Sequence, residues 1–308
     1  MNISGYHGQA DWGRTALRYL QCGKGLLPAS GTMVLSISLA WTIILVLCWP
    51  TVQTLVDAWI ASRTFRHGFF ILPATIYLLW FYRERLIGIL PVRSALGASM
   101  FTFLAWSWWE AYTGEDVFRQ QVSLVAMLPA LLWTLCGTAT FRILCFPLGL
   151  LVFALPIGTA AEGWLQDFTA AFLEVTLNAV GVPLLREGYL LTLPSQQWEV
   201  ATDCAGLRYV IPGLALAYMY AAMVYGRVLR RAAFLVVCGV FLILANGVRA
   251  FSIIFFDFVG LADGTDHRVF SYLVYGITIV FLAWIGTFWA DDTTEEATPG
   301  LVRHHGSA

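Results

Sequence analysis

Long apolar runs constrain this chain more than any other feature. Runs of about 16 to 22 residues recur along the sequence, and a helix of that length can cross a bilayer. Hydrophobic residues make up 59% of the 308 residues and charged residues only 12%, whereas soluble domains carry about twice that share of charge. The sequence therefore predicts an all-α polytopic membrane protein, and the lack of a basic tract argues against a nucleic-acid partner.

The apolar runs predict about eight transmembrane helices, which are 33–49, 67–82, 95–112, 122–137, 142–160, 205–225, 232–256 and 269–289. They define a transmembrane domain over 33–290, between an N-terminal segment (1–32) and a polar tail (291–308) that we expect to be disordered. Basic residues concentrate in alternate short loops, so the positive-inside rule predicts that both termini are cytoplasmic. The interval 161–203 then faces the outside.

This outer interval contains two predicted elements. Residues 164–180 have one apolar helical stripe, which suits an amphipathic helix in the outer membrane interface. The stripe consists of Trp164, Phe168, Phe172, Val175 and Ala179. Two short runs at 189–193 and 198–201 then flank a turn, and they predict a small β-hairpin before the sixth span.

One of the six cysteines differs from the others in its position. No CxxC spacing occurs, so neither a zinc site nor a redox pair is indicated, and we predict no metal or cofactor. Five cysteines lie in the N-terminal segment or within spans, where a cysteine usually behaves as a small apolar residue. Cys204 instead lies at the end of a span beside a polar loop, where a thiol can be reached from water.

Ionisable residues inside a membrane are costly and therefore mark functional sites. Arg249 lies within the seventh predicted span, and Asn246 shares its helix face because it lies three residues earlier. His267 opens the eighth span. The predicted topology brings Cys204, Arg249 and His267 to the same leaflet, although the topology was drawn without them.

Acyl transfer by a thiol fits this set. His267 could accept the thiol proton and return it to a leaving amine, and the guanidinium of Arg249 could hold an oxyanion or a substrate carboxylate. Asp203 opposes the scheme, because a carboxylate beside Cys204 raises the thiol pKa unless it is paired, for example with Arg208.

Each of these residues also has a purely structural interpretation. Cys204 could be an ordinary residue at a helix end, Arg249 could hold the bundle together, and His267 could lie in the membrane interface. His67, at the start of the second span, is a rival base, although we favour a substrate-binding or structural role for it. The sequence has no GxSxG, HExxH or glycine-rich phosphate motif, which argues against serine hydrolases, zinc proteases and nucleotide-binding proteins.

With these residues in place, the chain resembles the exosortase/archaeosortase family, most closely the branch linked to exopolysaccharide loci of Gram-negative bacteria. The resemblance covers about residues 60 to 290. It rests on His67–Phe69, Leu78–Trp80, Leu165–Ala170, Arg186–Gly188, Leu193–Ser195, Trp198–Ala201, Cys204–Tyr209, Asn246–Arg249 and the helix start at His267. The family's catalytic Cys, Arg and His fall on Cys204, Arg249 and His267.

The resemblance implies a membrane-embedded cysteine transpeptidase or peptidase of the bacterial cytoplasmic membrane, with its active site facing the periplasm. Its partners would be exported proteins with a PEP-CTERM signal, which is a Pro-Glu-Pro motif, a transmembrane helix and a basic cluster. The enzyme would cleave near that motif through a thioester, within membrane lipid. Two positions depart from the family pattern, because Ala205 replaces a frequent serine and Asp203 lies beside the nucleophile.

Two other functions stay open from the residues alone. A transporter or flippase for polysaccharide precursors would use Arg249 to bind phosphate and would not need Cys204. A non-catalytic assembly protein of a polysaccharide machine would need neither side chain, provided that the bundle folded.

Overall fold

A computed structural model describes residues 33–194, 196–202, 205–260 and 267–288, with the backbone alone for 267–270. Nine α-helices and one small sheet account for most of these residues. The helices are α1 (Met33–Leu47), α2 (Trp49–Ala61), α3 (Gly68–Phe81), α4 (Ala95–Thr113), α5 (Val117–Gly149), α6 (Glu162–Ala179), α7 (Leu207–Val224), α8 (Val228–Phe258) and α9 (His267–Thr287). Three short 3₁₀ segments occur at Tyr82–Leu86, Leu150–Ala154 and Thr159–Ala161.

The helices agree only in part with the eight predicted spans. α7, α8 and the stretch formed by α5 with the following 3₁₀ turn are long and apolar enough to cross a membrane. The bent pair of α1 and α2 makes a fourth candidate if it counts as one span, and α9 contains a shorter apolar helix. The chain is thus a multi-pass helical membrane protein, but the described residues do not confirm eight spans.

The predicted fourth and fifth spans are separated where α5 is interrupted. Gly137 has a non-helical backbone, with φ +84° and ψ +172°, and it joins two helical stretches at the residue where the predicted fourth span ends. A β-carbon at this position would collide with the carbonyl oxygen of Val92. Glycine therefore allows both the left-handed backbone and the close approach of the neighbouring chain.

The chain forms two compact units, and the first comprises residues up to 52 together with 90–141. Its polar core connects three helices. The hydroxyl of Thr51 donates to the side-chain carbonyl of Gln120 at 3.1 Å, and the indole of Trp108 donates to the same hydroxyl at 3.0 Å. Buried polar groups satisfied in this way fix the register of helices that have few charged contacts.

The second unit comprises residues 53–89 and those from 142 onward, and it contains every described residue of the predicted site. Helices α7 and α8 pack along each other, with α9 and α6 against α8. Small residues permit this packing, since a β-carbon at Gly213 would meet Leu242 at 2.6 Å and one at Gly247 would meet Phe172 at 2.7 Å.

The predicted amphipathic helix and hairpin are both present in this unit. α6 covers the predicted stretch, and the hairpin forms from β2 (Leu190–Thr192) and β3 (Gln197–Glu199). A further strand, β1 (Leu185–Glu187), pairs with β2, so the sheet has the antiparallel order β1-β2-β3. The sequence analysis did not predict β1.

α6 has a second apolar face beside the predicted one. Trp164 and Val175, both from the predicted stripe, are 60% and 68% exposed, which suits contact with lipid. Ala170, Leu173 and Leu177 of the second face pack against the sheet and α8. Leu165 of the same face packs instead with Leu207 and Ile211 of α7. The helix thus has an exposed apolar side and a buried side that packs within the unit.

Candidate functional site

Arg249 lies at the centre of the site. Its side chain is buried in α8, with 8% of the residue exposed. Nε–H donates to the hydroxyl of Ser271 on α9 at 2.8 Å, and one terminal nitrogen donates to the side-chain oxygen of Asn246 at 3.3 Å. Among the described residues no carboxylate forms an ion pair with Arg249, so the guanidinium remains a buried positive charge held by neutral groups.

Asn246 connects Arg249 to two other elements. Its amide nitrogen donates to the hydroxyl of Thr169 on α6 at 3.3 Å. A β-carbon at Gly206 would lie 2.5 Å from the same amide group. The predicted face shared by Asn246 and Arg249 is therefore in contact with both α6 and the start of α7.

The start of α7 requires a glycine at position 206. Gly206 has φ +92° and precedes the first helical residue, Leu207. A side chain there would be strained by the left-handed backbone and would also collide with Asn246. The N–H of Ala205, the residue after Cys204, donates to the carbonyl of Thr202, two residues before Cys204, at 3.0 Å.

Tyr209 brings a second arginine close to the first. The guanidinium carbons of Arg208 and Arg249 lie 5.0 Å and 4.9 Å from the centroid of its ring. Arg208 also donates to the Tyr209 hydroxyl at 3.3 Å, while its Nε is buried and has no hydrogen bond to any described residue. Two cations lie over one ring, and neither forms an ion pair with a described carboxylate, which makes this region favourable for an anion.

Cys204 and Asp203 lie outside the described residues, and of His267 only the backbone is described. Their chain neighbours nevertheless converge. Ser271, which holds Arg249, lies four residues after His267 on α9, so the two positions share a helix face about 6 Å apart along the axis. Gly206, which touches Asn246, lies two residues after Cys204.

His67 occupies a different environment. It immediately precedes α3, and its Nδ1 lies 3.0 Å from the carbonyl oxygen of Thr64. Among the described side chains, no hydrogen bond joins His67 to Arg249. The structure groups Asn246, Arg208 and Arg249. Near His67, Phe65 packs in one cluster with Ala205 and Leu207, which closely follow Cys204 in the chain.

The sheet is fixed to α6 beside the site. The amide of Gln166 donates to the carbonyl of Val200 at 2.6 Å, just after β3. Tyr189 is bonded to the carboxylate of Asp167, and this bond raises the pKa of the tyrosine above its usual value. Val200 is four residues before Cys204, so the approach to the cysteine is anchored to a packed helix.

Sequence analysis missed three residues that complete this arrangement, namely Thr169, Tyr209 and Ser271. Each is a common residue type within or beside an apolar run, and nothing in the local pattern marks it. Ser271 and Thr169 are 5% and 1% exposed. A search for hydroxyls one helical turn after each candidate catalytic residue would have found Ser271, which is at position i+4 from His267.

The family model described as transmembrane exosortase (Exosortase_EpsH) matches residues 59–284, more than two thirds of the chain. The chain belongs to the transmembrane exosortase family. No curated protein and no solved structure is significantly similar to it. The matched range includes Cys204, Arg249 and His267 and all the described residues that bind Arg249.

Membership of this family agrees with the apolar helices, and both make the exosortase a multi-pass membrane protein. Within the described ranges, no group of three or more His, Cys, Asp or Glu side chains could hold a metal ion. Ser271 and Asn246 accept hydrogen bonds from Arg249, and the ring of Tyr209 lies against it, so the guanidinium keeps a positive charge that could stabilise a transient negative charge.

Proposed function

We propose that this exosortase is a membrane cysteine transpeptidase or peptidase that cleaves the C-terminal sorting signal of exported proteins. The main support is the convergence of two helix starts on one pair of residues. The start of α7, two residues after Cys204, touches Asn246, and the first turn of α9, which begins with His267, holds Arg249 through Ser271.

The proposed reaction uses these groups in sequence. The thiolate of Cys204 attacks the scissile carbonyl, and the carbonyl oxygen becomes an oxyanion stabilised by Arg249. The C–N bond then breaks as His267 gives its proton to the leaving amine, which leaves an acyl group on sulfur as a thioester. A second nucleophile attacks this thioester and releases the thiol.

The local charges favour a thiolate in this position. A nearby cation lowers the pKa of a thiol, and the described part of the site contains Arg208 and Arg249 without a paired carboxylate. A pairing of Arg208 with Asp203, which the sequence suggests, is part of this proposal. Such a pair would remove the unfavourable effect of that carboxylate on Cys204.

The substrates in this proposal are exported proteins with a PEP-CTERM-like signal in the bacterial cytoplasmic membrane. The site would face the periplasm and both termini the cytoplasm. α6 and the sheet would form a roof over the cleft, and the exposed Trp164 and Val175 would keep that roof in the lipid interface where a substrate helix arrives.

The test is processing of a reporter that carries such a signal, co-expressed with the exosortase. Cys204→Ala should abolish cleavage, and Cys204→Ser should reduce it by at least about a hundredfold because an alcohol is far less ionised. Cys145→Ala is the matched control, since Cys145 is an exposed free cysteine. Intact mass should also reveal a hydroxylamine-sensitive acyl adduct on Cys204.

The outcome also separates the alternatives. Equal processing by wild type and Cys204→Ala would overturn the proposed nucleophile. Transport of a polysaccharide precursor that survives Cys204→Ala but not Arg249→Ala would favour a transporter.

A further inference from the structure

A small cavity lies beside Arg249, between α6, β3 and α8. Its volume is about 50 Å³. The walls are mostly apolar and are formed by Leu173, Trp198, Val200, Ala250, Ile253 and Ile254, with Thr169, Glu199 and Arg249 as polar members. Because an apolar cavity that binds benzene measures about 150 Å³, this space suits a few methyl-sized groups and is too small for an aromatic ring.

β3 is an edge strand next to this cavity. Leu193 N–H donates to the carbonyl of Gln196, and Val200 N–H donates to the carbonyl of Tyr189. The backbone N–H and carbonyl groups of residues 196, 198 and 200 therefore point toward β2. Because these groups alternate along a strand, those of Gln197 and Glu199 point away from β2.

These outward groups include donors that no described strand uses. The carbonyl of Glu199 accepts from Ala201 at 2.9 Å, but its N–H, like the N–H and carbonyl of Gln197, faces the free edge. The side chains of both residues are exposed. An extended peptide can add to such an edge, with backbone bonds for affinity and a pocket for an alternate side chain.

We propose that the cavity is a specificity pocket for a small aliphatic side chain of the substrate, carried on an extended segment that pairs with β3. This inference rests on the proposed function. Val200, on the cavity wall, is four residues before Cys204, and Arg249 both lines the cavity and belongs to the proposed catalytic set. The recognised side chain therefore lies within a few residues of the scissile bond.

Peptidyl acyloxymethyl ketones test this pocket without a known substrate. The Cys204 thiolate displaces the carboxylate of the probe, so that a C–S bond forms and a C–O bond breaks. Probes carrying Ala, Val, Leu or Phe at successive positions are added to the full chain in nanodiscs, and labelling of Cys204 is followed by mass spectrometry. At one position, wild type should react at least about tenfold faster with the Val probe than with the Phe probe.

Two substitutions at Ile253 change the size of the pocket. Ile253→Ala should enlarge it and bring the Val-to-Phe rate ratio close to one, a gain of reactivity that misfolding cannot produce. Ile253→Phe should fill it and slow the Val probe by about tenfold. Ile243→Ala is the matched control, because Ile243 is also a half-buried isoleucine of α8 but does not line the cavity.

A substitution at Glu199 tests the strand pairing. Glu199→Pro removes the outward N–H without removing a bond to β2, and it should slow all peptide probes by about tenfold. Glu199→Ala keeps that N–H and should react much faster than the proline variant. Labelling of Cys204 by iodoacetamide, which needs no peptide binding, should be equal in both variants.

The outcomes distinguish this inference from the proposed function. If Ile253→Ala leaves the Val-to-Phe rate ratio unchanged and the ketones still label Cys204, the proposed specificity pocket is wrong. The proposed peptidase activity is not contradicted by that result. Equal rates for Glu199→Pro and Glu199→Ala overturn the strand pairing. If iodoacetamide labels Cys204 but no peptide ketone does, the peptidase proposal itself fails, and the pocket with it.

Discussion

Helix α8 carries two buried arginines whose surroundings differ. Arg231, in the first turn, is 6% exposed, and Arg249, in the second half of the helix, is 8% exposed. Neither forms an ion pair with a described carboxylate. Each is joined to a tyrosine that a second arginine also contacts, Tyr82 with Arg85 and Tyr209 with Arg208.

The difference lies in what the guanidinium groups bind. Arg231 donates to the backbone carbonyl of Tyr225 at 2.8 Å and to the hydroxyl of Tyr82 at 3.0 Å, and its guanidinium carbon lies 4.2 Å from the ring centroid of Phe146. These contacts stabilise the junction between the end of α7 and the start of α8. Arg249 instead binds two side chains and borders a cavity. Burial of an arginine in a membrane helix is therefore a weak sign of function. A cavity beside the buried arginine is a stronger sign.

The largest expected effect separates these two arginines directly. Arg249→Lys keeps the charge, but a lysine ammonium lacks the planar guanidinium that donates to both Ser271 and Asn246. Reporter processing per folded molecule should therefore fall by about a hundredfold. Arg231→Lys should leave processing within about twofold and lower the Tm instead, because the buried carbonyl of Tyr225 loses its donor. Processing is normalised to the monodisperse protein after size-exclusion chromatography. Equal losses of activity in the two variants would contradict the comparison.

A smaller effect is expected at Ser271, which we interpret as a positioning residue for Arg249 and for the first turn of α9. Ser271→Ala removes the 2.8 Å bond to a charged donor, and kcat should fall by about tenfold with little change in KM. Ser271→Thr keeps the hydroxyl and should restore most of the rate.

Thr278→Ala is the control for this position. Thr278 lies on the same helix, but its hydroxyl bonds only to the backbone carbonyl of Val274, at 2.7 Å. Removing the Thr278 hydroxyl should therefore change neither kcat nor KM. A loss of rate in Ser271→Thr as large as that in Ser271→Ala would exclude the role of the hydroxyl.

The smallest effect on activity is expected at the two tyrosines. Tyr82 is 1% exposed and donates to the carbonyl of Ala222 at 2.6 Å, so Tyr82→Phe should destabilise the fold by about 1–3 kcal/mol. Tyr209→Phe keeps the ring beneath both arginines and should change processing by less than about twofold. Thermal unfolding in detergent and reporter processing are measured for both, and a lower Tm for Tyr209→Phe than for Tyr82→Phe would reverse the expected order.

Sequence patterns predicted the elements more reliably than the contacts between them. The helical class, α6 and the hairpin follow from local periodicity, and so does the shared face of Asn246 and Arg249. The predicted end of the fourth span coincides with the non-helical backbone of Gly137, which interrupts α5. The count of eight spans is not confirmed.

The rest depended on tertiary packing. Ser271 becomes important only because α9 packs against α8 at the level of Arg249, and no local pattern encodes that register. The buried face of α6 was missed for a similar reason. Its residues alternate small, polar and aliphatic types, whereas the aromatic stripe, from exposed Trp164 to half-buried Phe172, dominates the hydrophobic pattern.

Gly206 has a consequence for studying the enzyme at work. Because it rests directly on Asn246, the position of the neighbouring cysteine is coupled to the gap between two membrane helices. Any rearrangement that admits a substrate must either preserve that gap or move the sulfur. The rate at which a small electrophile alkylates Cys204 would therefore report whether these two helices separate when a substrate binds.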